Sequence, residues 1–338
     1  MRVYRSLIIL VLCLLFPTVS LAYKRVLLIG VSNYPKESGW CKLASCNDVA
    51  LLKEAFLDIN DLTCLIDEDA TKKGIENALN KMMKLAQQGD TILVHFSGHG
   101  QQMLTSDPLE DDKLDEAFIP YDAQKTKTKI YEGQNHFTDN DLLVYIGRLR
   151  KKVGKDGFVF ITLDACHSGN MDRATSDEKE KYVVRGTSDI FGVDSEILND
   201  SLLSTSKDDT FRIENNNLAD VLYLSACGQH EINREIMIDG VNYGSLSYCM
   251  FKAYGESDFS NIIAFVKAVK SNMRENMPFQ TPKIRTSLEL SLDTDSLGLP
   301  MIPPVHEEKS RYFYLWTLIF TFILVSITWV LWKRMRRK

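Results

Sequence analysis

The chain has 338 residues, 45% of them hydrophobic and 25% charged, with a formal net charge of −5 at pH 7. This is ordinary globular material, long enough for one large α/β domain. The negative balance gives no electrostatic footprint for nucleic acid, which is excluded as an expected partner.

Arg2 and Arg5 precede an apolar run from Leu7 to Phe16, a Pro17 break and the small residues around Ser20-Leu21-Ala22. That order reads as a secretory signal over residues 1–22, cleaved after Ala22, with a retained signal anchor as the competing account. A globular domain is expected over 23–291. Within it, short apolar runs near 25–31, 62–66, 91–96, 158–163, 220–225 and 284–290 alternate with helical stripes. This is the signature of a mostly parallel six-stranded sheet covered on both faces. The stripes are Val49, Leu52, Phe56 and Ile59, then Ile75, Leu79, Met82 and Ala86 after a Thr71 cap, then Leu142, Ile146 and Leu149 after a Thr138-x-x-Asp141 capping signal. Late helices are expected over 244–254 and 258–276, with Pro278 marking the end. Residues 172–217, rich in Ser, Thr, Asp, Glu and Lys, are too long for an ordinary connection and read as a loop between two parts of the domain.

Pro300, Pro303 and Pro304 make 292–311 a semi-extended stalk. Residues 312–332 carry no charge and would span about 31 Å as a helix, the thickness of a bilayer core. Tyr312, Tyr314, Trp316, Trp329 and Trp332 place aromatics toward both ends, and the basic tail 333–338 marks the cytoplasmic side. The expectation is a single-pass protein of the secretory pathway or cell envelope, with its globular domain outside the cytosol.

Two strings carry the chemistry: Ser97-Gly98-His99-Gly100 and Asp164-Ala165-Cys166-His167-Ser168-Gly169. Each follows a predicted strand, so both fall at the sheet edge where loops converge over a crevice. A cysteine near its reference pKa of about 8.5 is mostly thiol at neutral pH and needs a base to become a nucleophile. His99 is the candidate base; His167, next to Cys166 in extended chain, would diverge from it. The N–H groups of Gly100 and Cys166 are suited to an oxyanion hole, in which losing one donor costs about 2.7–4 kcal/mol. No third orienting residue is evident. Cys227, ending an apolar strand, reads as an inert core thiol. Six cysteines remain once Cys13 leaves with the signal; a disulfide among Cys41, Cys46 and Cys64 is permitted in an oxidising compartment, buried thiols are simpler, and connectivity stays open. No spacing suits zinc. The acid-rich stretch 107–116 either stays solvated or binds a hard cation through carboxylate oxygens.

His-Gly and Asp-x-Cys-His-Ser-Gly, together with Asn47-Asp48, Asp111-Asp112-Lys113-Leu114-Asp115-Glu116, Pro120-Tyr121-Asp122 and Leu224-Ser225-Ala226-Cys227, resemble the metacaspases. These are caspase-like cysteine peptidases of the caspase–legumain clan, and the resemblance covers roughly residues 23–290. It implies a caspase-like three-layer α/β/α fold and an endopeptidase with Cys166 as nucleophile and His99 as base, a dyad rather than a triad. It also implies an acidic specificity pocket of Asp48 and Asp164 with Ser97 as a polar wall, and hence cleavage of protein or peptide substrates after Arg or Lys. No cofactor is required on this reading. Calcium is an optional activator, with Asp111, Asp112, Asp115 and Asp172 as ligands. A zymogen cut in the 172–217 loop would be processed at Arg173, Lys181 or Arg185, with Arg185-Gly186 favoured. The alternatives are a legumain-like or transamidase-like peptidase of the same clan, or a catalytically silent adaptor.

Overall fold

β1 (Lys24–Gly30) opens the fold, and from Arg25 onward its residues are buried on both faces. It leads through a loop to α1 (Ser45–Ala55), β2 (Asp61–Ile66), α2 (Lys72–Leu85) and β3 (Thr91–Ser97). Three short strands follow, β4 (Gly100–Leu104), β5 (Leu114–Phe118) and β6 (Phe137–Thr138), then α3 (Asp139–Val153) and β7 (Phe158–Asp164). The second part contributes β8 (Asp220–Ser225), β9 (Glu235–Ile238), β10 (Val241–Gly244), α4 (Ser245–Glu256), α5 (Ile262–Asn276) and β11 (Lys283–Thr286). This computed structural model describes residues 22–56, 59, 61–105, 114–166, 183–193, 218–228, 231–257 and 259–287. The predicted signal (bar Ala22), stalk, membrane span and basic tail lie outside them. No helix among the described residues is long and apolar enough to cross a membrane.

The main sheet has the order β11-β8-β7-β3-β1-β2, parallel throughout except for the β11 edge. Alternate residues of β1 serve two cores. Leu27 and Ile29 pack with Ile75 and Leu79 of α2 and with Leu142 and Ile146 of α3. Val26 and Leu28 pack on the opposite face with Val49 and Leu52 of α1, Leu246 of α4 and Phe265 of α5. Two layers of helix therefore enclose one sheet, and each fully buried Leu or Phe contributes about 1.5–3 kcal/mol. Both predicted caps form: Thr71 accepts from the Gly74 N–H, and Thr138 with Asp141 makes a reciprocal capping box.

Several expected bounds shift. The helix expected to reach Ile59 ends at Ala55, α5 begins at Ile262 after a 3-10 turn, and the last strand covers 283–286, pairing antiparallel with β8. Two small sheets were not anticipated: β4-β5-β6, and a β9-β10 hairpin turning at Asp239-Gly240. Both turn residues have positive φ, 51° and 81°, the combination that an Asp-Gly hairpin turn requires.

Candidate active site

Strand β1 leads outward to β2, after which the chain crosses to the other side of β1 to form β3, so the order reverses between β1 and β3. That is where open α/β sheets place ligands. Ser97 and Asp164 are register partners on the adjacent parallel strands β3 and β7. His99 and Cys166 each lie two residues beyond those partners. They therefore leave neighbouring strands at the same level of the same rim, and the Gly98 N–H bonds the Asp164 carbonyl at 3.3 Å to hold the exits together.

The imidazole of His99 is fixed on three sides. Trp40 stacks on it at 4.8 Å between centroids, and the Tyr34 ring lies 5.2 Å away. Its main-chain N–H donates to the Tyr34 hydroxyl at 3.1 Å. Its Nε2 lies 3.0 Å from the Cys41 carbonyl oxygen, an acceptor only, so that nitrogen carries the proton. Nδ1 is then the free base, and it is buried with no hydrogen-bond partner. Burial, only partly offset by the Cys41 carbonyl, lowers the imidazole to about 3, so the ring is neutral at physiological pH. No third orienting side chain is evident in the sequence, and the ring is oriented here by the Cys41 main chain. The orienting group is a main-chain oxygen, which no residue type announces.

Cys166 is only 3% exposed because another stretch of this chain lies across it. Arg185 donates its N–H to the Asn233 carbonyl at 3.0 Å, and the Val183 carbonyl accepts from the Glu235 N–H at 2.9 Å. Residues 183–185 are therefore held as a short antiparallel strand. The Arg185 carbonyl accepts from the Cys166 N–H at 2.9 Å. Gly186 follows at such close quarters that an added Cβ would stand 2.2 Å from the Cys166 carbonyl oxygen. Gly100, the second expected oxyanion donor, opens β4 and forms an isolated parallel bridge with Gly186.

The Arg185 side chain is fully buried in an acidic pocket. Its two terminal nitrogens reach Asp48 at 2.8 Å, Glu235 at 3.0 Å and Ser97 Oγ at 2.6 Å, with Asp164 Oδ1 at 3.8 Å. All three pocket residues expected from sequence are assembled here. Glu235 was missed because it arrives from a hairpin with no apolar run to mark it. The carboxylates are themselves pinned. Asp164 accepts from Asn233 and from the Ser247 hydroxyl and N–H, while Asp48 accepts from Ser97 Oγ and the Gly244 N–H. Burial raises Asp48 to about 6 despite the guanidinium. For Asp164 burial also pushes upward, but Arg185 and its hydrogen bonds win and hold it below the usual range. Gly244 is obligatory at this wall, since a Cβ there would lie 2.2 Å from Asp164 Oδ2.

Cys227 is buried, as a core thiol should be, yet it is not remote from the chemistry. Cys166 and Cys227 both donate to the Glu231 carbonyl, at 3.2 and 3.5 Å. The hydrogen bond with Cys166, followed by burial, raises the Cys227 thiol well above its ordinary pKa. Cys41, Cys46 and Cys64 form no disulfide among the described residues. Of the four expected cation ligands, Asp111, Asp112 and Asp172 lie outside the described residues, as do His167, Arg173 and Lys181. Asp115 sits in β5, 7% exposed, with Oδ1 buried and unpartnered.

A six-stranded sheet with helices on both faces, bearing a His and a Cys on one rim beside an acidic pocket, is the architecture of a caspase-like peptidase domain. The family model described as caspase domain matches residues 23–292, and the chain belongs to that family. Among curated proteins it is 33% identical to Metacaspase-7 of Arabidopsis thaliana over 44% of this chain and 35% of that protein. To Metacaspase-2 of Trypanosoma brucei brucei it is 27% identical over 63% of this chain and 56% of that one, and to Metacaspase-6 of A. thaliana 26% over 75% and 64%. The chain thus spans between about a third and two thirds of the length of these relatives. Among solved structures, protein GSU0716 from Geobacter sulfurreducens aligns with a TM-score of 0.53 at 21% identity, covering 78% of this chain and 93% of that one, a likeness of fold.

Proposed function

We propose that this protein is a membrane-anchored cysteine endopeptidase that cleaves after Arg or Lys and processes itself between Arg185 and Gly186. One observation carries the reading: a guanidinium of the chain itself fills the acidic pocket while the carbonyl of the same residue accepts the Cys166 N–H. Strand pairing, side-chain anchoring and carbonyl polarisation are together what a bound peptide substrate needs.

The steps follow from the groups in place. Cys166 now donates its S–H to the Glu231 carbonyl, and a side-chain rotation redirects that proton to the free Nδ1 of His99. The thiolate attacks the Arg185 carbonyl carbon, and the electron pair moves onto the oxygen beside the Cys166 N–H. The intermediate collapses by breaking the C–N bond to Gly186, whose amine takes the proton from His99. Water then hydrolyses the thioester, with Nδ1 again as base.

The oxygen donors fit calcium as an activator. Asp115, with a buried oxygen awaiting a partner, would hold it together with Asp111, Asp112 and Asp172. The anchor rests on the sequence of residues 312–332 and on the basic tail that follows.

Mass spectrometry of the full chain, incubated with calcium or with a chelator, is the test. New termini at Arg185 and Gly186 are expected, absent from Cys166→Ala. Equal cutting in Cys166→Ala, or termini after acidic residues only, would overturn the reading. Faster processing with calcium is expected, and identical rates in chelator would remove the ion from the scheme.

A further inference from the structure

We propose that Glu235 is a specificity-determining residue that makes this site select arginine over lysine at the cleaved bond. The inference deepens the basic-pocket reading above and rests on it.

Glu235 is 5% exposed, and its position is set from both ends. Its main-chain N–H bonds the Val183 carbonyl at 2.9 Å, which makes it part of the edge that pairs with a bound peptide. Its Oε1 accepts from the Ala44 N–H at 2.7 Å, which aims the carboxylate into the pocket before any cation arrives. That same oxygen stands 3.0 Å from one terminal nitrogen of Arg185, and Asp48 Oδ2 stands 2.8 Å from it as well. The other terminal nitrogen reaches in a different direction, to Ser97 Oγ at 2.6 Å. The pocket is therefore built around a fork.

A lysine ends in one nitrogen, about one bond short of where the guanidinium nitrogens sit, and cannot occupy both prongs. Whichever prong it served, buried acceptors at the other would lose their donor. A buried group left unpaired weakens binding more than the missing bond alone. With two carboxylates a compact ammonium could be shared between them. The third, fixed by Ala44 beside Asp48 on the same prong, concentrates two carboxylates where a guanidinium nitrogen reaches and an ammonium one bond short does not. The expected discrimination is about ten- to a hundredfold, the effect of one or two charge-assisted hydrogen bonds.

The test compares kcat/KM for reporter peptides that differ only in Arg or Lys before the cut, using the full chain. The wild type should favour Arg by at least about tenfold. Glu235→Gln retains an oxygen for the Ala44 N–H and the same shape but loses the charge. It should weaken Arg turnover about ten- to a hundredfold, mainly through KM, while Lys changes less than about threefold, so the ratio approaches one. A binding readout that needs no variant accompanies it: butylguanidine should inhibit the wild type at least about tenfold more tightly than pentylamine. Equal wild-type rates on Arg and Lys, equal inhibition by the two probes, or a parallel loss of both substrates in Glu235→Gln would each overturn the proposal and leave the basic pocket standing. Cleavage after neither basic residue would sink both.

Discussion

At the scale of single residues, the site depends on how an imidazole is held. Trp40 and the Cys41 carbonyl fix the ring, and the nearby Cys41 thiol, 3.5 Å from Nε2, is incidental to that task. Cys41→Ala should therefore keep kcat within about threefold, because the main-chain oxygen remains. A fall beyond about tenfold would mean that the sulfur acts directly. Trp40→Ala, by contrast, frees the ring to tilt and should lower kcat about ten- to a hundredfold, since small misplacements of a catalytic group are costly. His99, Cys166, Asp48 and Asp164 were legible in the sequence because each is a chemically distinctive residue in a short glycine-flanked or acidic string. Cys41 was not, since its contribution is a carbonyl that any residue has. Glu235 was hidden for another reason: nothing local links Asn233-Arg234-Glu235 to a strand end that lies seventy-odd residues earlier in the chain.

At the scale of elements, β1, β3, β7 and β8 of the main sheet were readable because each is buried on both faces and so appears as a nearly continuous apolar run, whereas the edge strands β2 and β11 are only half-buried. The β9-β10 hairpin escaped because its strands are only half-buried, with Met237 69% exposed, although Asp239-Gly240 is a recognisable turn signal. The strand that crosses Cys166 escaped as well, since residues 183–186 pair only where a groove receives them. Gly186 lets that strand lie flat. Gly186→Val should push the segment off, because its Cβ would collide with the Cys166 carbonyl. Self-cutting should slow, while an added Arg reporter should be turned over faster from the first minute; a slower reporter rate would show that the segment helps to build the site. Away from the site, Thr138→Ala removes half of a capping box and should cost about 1 kcal/mol, read as a lowered denaturant midpoint with an unchanged m-value.

At the scale of the whole molecule, buried histidines set the response to acid. Burial lowers His95 and His136 to about 4 and His99 to about 3, so each is neutral in the folded state. The unfolded chain takes up those protons near pH 6.5. Stability from these groups is therefore complete above about 6.5 and is lost as pH falls toward 4. Asp48, raised to about 6, binds its proton earlier in the folded state and offsets one of the three. A net two protons correspond to roughly 3 kcal/mol per pH unit at the steepest point. Denaturant melts between pH 7 and 4.5 should show that decline; a flat profile would mean that the histidines are hydrated in solution.

An arginine already lodged in the recognition pocket also changes how any outside molecule is received. A tethered group competes at an effective concentration on the order of millimolar, without being diluted when the protein is. Small basic inhibitors assayed on the uncut chain will thus look weaker than their intrinsic affinity, and by the same factor for every member of a series. Ranking survives such screening, whereas absolute potency has to be measured after the occupant has been released.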